Sequence, residues 1–172
     1  MGEARRALID EWVPLHLGMS RITRDILKSH MTTVSSELFC SVDKVAIVMD
    51  GTYIYIQKSS NNAFQRSSYS GHKHCHLLKP FLIVSPDGHI IDALGPYQAN
   101  VNDAAIARDI GRQLLSILED GYVVLVDRVF RDAVEHLTAL GLDVRLPESN
   151  SGDQLTGTGK SDSSCHKMSI HC

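Results

Sequence analysis

Two runs, VAIVMDG at residues 45–51 and YVVLVD at residues 122–127, decide the fold. Each is a short continuous apolar stretch rich in β-branched residues, and each closes on an aspartate, Asp50 or Asp127. Such runs predict buried strands. The pair Asp50-Gly51 ends the first as a turn, and Gly121 sets off the second. Open sheets gather functional groups at the carboxyl ends of their strands, where neighbouring strands lie about 4.8 Å apart. Two acids placed there can share a hard divalent cation such as Mg²⁺. Short acids at those positions also cap turns and helices, and the residues alone leave both roles open.

Working outward, Tyr53 to Ile56 extends the first strand or begins the next, and KSSNNAFQRSS reads as a polar loop. A second apolar run, Pro80 to Val84, leads to the turn Pro86-Asp87-Gly88, after which His89 to Leu94 returns as a hairpin partner. Ile106, Ile110, Leu114 and Leu118 recur at a helical spacing, so a helix is predicted over 103–118, with Asn102 or Asp103 as its cap. Ala133, Val134, Leu137 and Leu140 predict a second helix, stopped by Gly141 before a last strand over 142–146. The order of strands and helices suits an α/β fold: a ribonuclease H-like mixed sheet with an antiparallel edge, flanked by helices.

Ahead of this core, residues 1–40 read as a small helical segment. Leu8, Ile9 and Trp12 share one face, Ile22, Ile26 and Leu27 another, Ser20 is a candidate cap, and Thr32 or Thr33 starts a short helix through Phe39. A bundle packing on the core is preferred to a helix-turn-helix piece. The core is assigned to 41–148. The Gly/Ser-rich stretch 149–172 has little to bury and is predicted to be a disordered tail.

Composition excludes more than it suggests. Hydrophobic residues at 43% and charged residues at 22% mark an ordinary globular chain. No run reaches the roughly 18 apolar residues of a membrane span, and none at the start resembles a secretory signal, so an intracellular, non-membrane protein is expected. Cys40, Cys75, Cys165 and Cys172 follow no framework spacing and are expected as free thiols. A net charge of −3 gives no global case for nucleic acid, so any such contact must be local. Arg66, His72, Lys73, His74, His76 and Lys79, with Tyr69 among them, form one local basic stretch. It suits a phosphate backbone or a charge-defended strand edge equally. The alternating histidines lack the paired spacing of a zinc site, as do Cys165-His166 and His171-Cys172. Trp12, Tyr53 and Tyr55 are expected in core or sheet packing.

The segments around Asp50-Gly51-Thr52-Tyr53, Gln65 to Lys73, Lys79-Pro80, Gly95-Pro96-Tyr97, Asn102-Asp103-Ala104 and Asp127-Arg128-Val129-Phe130 occur in one order. Together they resemble the DDE superfamily endonuclease domain, more narrowly its Harbinger-type and IS4-like transposase branch, over roughly residues 40–150. The resemblance implies metal-dependent DNA cleavage with Mg²⁺ or Mn²⁺. It makes Asp50 and Asp127 the first two catalytic metal ligands and DNA the partner, contacted by Arg66, His72, Lys73, Lys79 and Arg128. A nuclear location and a separate DNA-binding partner protein follow from the substrate. The family's third acid, a glutamate on a later helix, has no match beyond Ser149 to Thr156. Glu148, in a loop after Pro147, is a poor substitute, so weak or absent cleavage is expected. Val129 stands where the family has glycine, which would disturb the loop if a left-handed turn were needed. Asp103 is read as a structural, helix-capping residue rather than a metal ligand.

Overall fold

A computed structural model describes residues 2–38 and 44–147. The expected tail, Glu148, Phe39, Cys40, Cys165 and Cys172 lie outside the described residues.

The first deciding run forms β1 (Ala46–Gly51) at the centre of the sheet, and the second forms β6 (Val123–Val126). Between them come β2 (Ile54–Tyr55), α5 (Asn62–Ser68), β3 (Tyr69–Ser70), β4 (Cys75–Val84), β5 (Ile90–Gln98) and α6 (Asp103–Leu114). After β6 the chain makes a 3₁₀ turn at Arg128–Phe130, α7 (Arg131–Ala139) and β7 (Asp143–Arg145). The lead-in comprises α1 (Gly2–Ala7), a π-helical segment Leu8–Trp12, α2 (Val13–His16), a 3₁₀ turn Met19–Arg21, α3 (Arg24–Ser29) and α4 (Thr33–Leu38).

β5, β4 and β1 are antiparallel neighbours, while β6 and β7 continue the sheet parallel to β1. The parallel step from β6 to β7 needs a crossover, which α7 provides. This is the ribonuclease H-like mixed sheet that the element order implies. One face carries Ile47, Met49, Phe81, Ile83, Val124 and Val126, all buried with Ile106, Ile110 and Leu114 of α6 and Leu137 of α7. Phe81 and Phe130 meet there with ring centroids 5.9 Å apart. Among the described residues, the amino end of β1 and β6 is covered on the opposite face, where Met31 and Leu38 pack on Ala46 and Val123 beside Leu125 of β6.

Several boundaries differ from the sequence reading. β4 begins at Cys75, not Pro80. Pro80 is tolerated because its carbonyl accepts from Thr52 N–H at 3.0 Å, where β1 gives way to β2, and β5 slips register between Lys79 and Phe81. The missing N–H thus falls at an irregularity of the ladder. The polar loop contains α5, capped by Asn61, whose side chain accepts from Ala63 N–H and Phe64 N–H at 3.0 and 3.1 Å. Its composition carries no apolar period to betray it. Thr23, not Ser20, caps α3, and α4 starts at Thr33 as read. Residues 2–16 do not pack on the core: α1, the π-helical segment and α2 bury no side chain. Trp12 stacks on His16 instead and stays 53% exposed. Tyr55 is likewise exposed rather than packed. The rest of the lead-in is tied to the β4–β5 hairpin: Gly18 N–H donates to Ile91 O, Met19 N–H donates to Asp92 Oδ2, and His30 Nδ1 lies 2.6 Å from Asp87 Oδ2.

Asn102 caps α6, its Oδ1 accepting from Ala104 N–H at 2.8 Å. Asn102→Ala is expected to lower stability by about 1 kcal/mol, measured by urea unfolding. A change below a few tenths would mean that water replaces the cap.

Candidate functional site

The pairing of β1 with β6 decides where the two acids go. Met49 lies opposite Val126 in a parallel ladder, so the next residues, Asp50 and Asp127, emerge side by side at the carboxyl end of adjacent strands. Asp127 keeps an extended backbone (φ −70°, ψ 167°). Its side chain therefore alternates away from Val126 as Asp50's does from Met49. Both acids stand on the face left uncovered beyond Val48, and both are exposed.

Partial burial pushes Asp50's carboxyl above the usual carboxylate range. A backbone hydrogen bond at Gly51 opposes this shift, the charges of Asp103 and Asp127 add to it, and Lys79 pulls back. Asp50 thus feels both neighbouring acids.

Asp103 occupies a different position from the other two. It is the first residue of α6, buried, with Oδ1 3.1 Å from Lys79 Nζ. That ammonium donates its hydrogen bond to Val101 O at 2.7 Å, and Oδ1 is left with ion pairing but no hydrogen-bond donor. The carboxylate rests on Gly51: a Cβ added there would stand 2.3 Å from Asp103 Oδ1 and 3.3 Å from Lys79 Cδ. Gly51 is therefore required by the close approach of α6 to the end of β1. Asp103 is thus an ion-pair partner of Lys79, and the cap hydrogen bond of α6 is made by Asn102.

The basic residues divide. Arg66 on α5 and His72 and Lys73 in the turn before β4 are exposed, and Arg128 follows Asp127 directly. Arg128 Nε donates to Pro147 O at 3.4 Å, and with Arg131, Val134 and Glu135 it lines a shallow groove of 460 Å³. Lys79 departs from the expected DNA-facing set. Its side chain is 4% exposed, because it shares the inward parity of Leu77, Phe81 and Ile83 on β4. The alternating histidine row also does not form, since residues 71–74 make a turn with His74 at φ 53°. Val129 is no obstacle: among the described residues His74 is the one non-glycine with positive φ, so the turn after Asp127 needs no left-handed residue. Tyr69 and His76, whose rings meet edge to face at 5.4 Å, were not singled out as a pair by the sequence reading.

Two carboxylates are a hard oxygen donor set that suits Mg²⁺ or Mn²⁺, which bind through one or two carboxylates and complete their shell with water or phosphate oxygens. Among the described residues no group of three His, Cys, Asp or Glu converges on a metal position. No helix among them is long and apolar enough to cross a membrane.

A family model described as DDE superfamily endonuclease matches residues 49–162. No curated protein and no solved structure matches the chain.

Proposed function

The chain belongs to the DDE superfamily endonucleases, and from that premise we propose that Asp50 and Asp127 hold a divalent cation at a site for DNA phosphodiester chemistry. The observation that carries this reading is the parallel Met49–Val126 register, which sets the two acids on one open face at one strand end. A bound Mg²⁺ or Mn²⁺ would neutralise phosphate charge and activate water for attack on the phosphodiester. The protein's own part is to hold Asp50 and Asp127 at one strand end, where partial burial of Asp50, and then the charges of Asp103 and Asp127, disfavour its ionised form, a cost that a bound cation would offset. Asp103 is ion-paired with Lys79. With two carboxylates in place, cleavage is expected to be slow. A second reading is a non-catalytic domain that keeps the fold and binds DNA or protein without cutting. A nuclear location and a separate DNA-recognising partner follow from the substrate.

Metal titration tests the site. Millimolar Mn²⁺ or Mg²⁺ should raise the melting temperature through mass action, and Asp127→Asn should abolish that rise. A melting temperature indifferent to either metal would remove the proposal. Conversion of supercoiled plasmid in Mn²⁺, lost on Asp50→Ala, then separates slow cleavage from binding alone.

A further inference from the structure

We propose that the groove lined by Lys58, Gln65, Arg66, Tyr69 and His76 binds an unpaired nucleotide of single-stranded DNA running along the open face of the sheet from Asp50. The inference rests on the reading of DNA as substrate. It does not require the cation.

The faces of β4 carry the argument. Asp50 pairs with Leu82, and Leu82, Pro80, Leu78 and His76 alternate with the buried Leu77, Lys79, Phe81 and Ile83. His76 therefore lies on the same face as Asp50. It is six residues along one strand, a distance on the order of 20 Å. Tyr69 pairs with His76 across β3 and β4, so it shares that face too. Between the two ends, Ile54 pairs with Leu78 and is 52% exposed, giving the track an apolar floor.

The far end of the track has what a single strand needs. The Tyr69 ring is 45% exposed and stands against the His76 imidazole. His76 Nδ1 lies 3.1 Å from Ser68 Oγ, which fixes the imidazole before any ligand arrives. Lys58 and Arg66 border the same groove of 350 Å³ and are exposed. Residues 51–86 contain no Asp or Glu at all, and Lys58, Arg66 and Lys73 are exposed among them, whereas Lys79 is buried against Asp103. Within a chain of net charge −3, this is a locally positive surface. A cationic groove with an exposed aromatic is the arrangement that holds single strands, since an unpaired base offers a ring face that a duplex keeps stacked.

The test is fluorescence anisotropy with a labelled oligothymidylate of about ten nucleotides, inside the ~4–16 range of such sites. A duplex of equal length is the comparison, and EDTA is present throughout. The wild-type protein should prefer the single strand, Tyr69→Ala should weaken it about tenfold, and Tyr69→Phe should not. Lys58→Gln and Arg66→Gln should each flatten the salt dependence by about 0.7 in log–log slope. Tyr69 is half exposed, so its variants should melt like the wild type. Unchanged single-strand affinity in Tyr69→Ala, or a wild-type preference for duplex, overturns the inference. A protein that ignores Mn²⁺ yet loses the oligonucleotide on Tyr69→Ala would defeat the metal proposal and leave this one standing.

Discussion

Truncating Asp103 to alanine is expected to cost about 3–5 kcal/mol of stability, the usual penalty for leaving one charge of a buried pair alone. Lys79 is 4% exposed and the Asp103 side chain 12%, so little water can replace the lost carboxylate. Val101 O at 2.7 Å satisfies one of three ammonium protons and no charge. Replacing both residues together, as Lys79→Met with Asp103→Leu, is expected to be near neutral or stabilising, because desolvating two charges consumes most of what their attraction returns. Urea unfolding of the two single variants and the double variant gives the coupling energy directly. A loss below about 1 kcal/mol for Asp103→Ala would show that the ammonium reaches solvent, and the buried-pair account would then be wrong.

The same pair shows how far the sequence could be read. Lys79 sits among His72, Lys73, His74 and His76, and composition alone makes it one more surface cation. Its true position follows from parity along β4, which begins at Cys75, and an apolar run starting at Pro80 does not extend that parity to residue 79. Asp103 stands where a helix begins, so capping was the natural reading, but the adjacent Asn102 takes the cap and frees Asp103 to face Lys79. By contrast, the strands that carry Asp50 and lead to Asp127 were legible because continuous β-branched runs have few other uses, although Gly51, expected in a turn, continues β1 opposite Phe81. That the two strands are neighbours was not written in either run. It depends on β4 and β5 stacking on one side of β1 and leaving the other side free for β6. The apolar stripe of Leu8, Ile9 and Trp12 was legible as a helix face, but periodicity does not say whether a face finds a partner, and here it stays exposed.

Asp50→Asn is expected to change stability in opposite directions with and without metal. In EDTA at neutral pH the variant should melt above the wild type. Asp50's carboxyl titrates above its ordinary value of 3.8 in the folded chain, through partial burial and the nearby Asp103 and Asp127, so its ionised form opposes folding. That cost is complete once the pH exceeds the raised folded value. It shrinks as the pH falls toward 3.8 and is gone below it, where folded and unfolded chains are both protonated. The advantage of the amide should follow the same course and vanish in acid. With Mn²⁺ at a hundredfold excess over its dissociation constant, the wild type should gain about 2.7 kcal/mol and the amide variant little, reversing the order. For a chain of this size, each kcal/mol corresponds to roughly 2–4 °C, well within calorimetric reach. An Asp50→Asn protein that melts below the wild type in EDTA would contradict the electrostatic account of the strand end. One that gains as much from Mn²⁺ as the wild type would place the cation elsewhere.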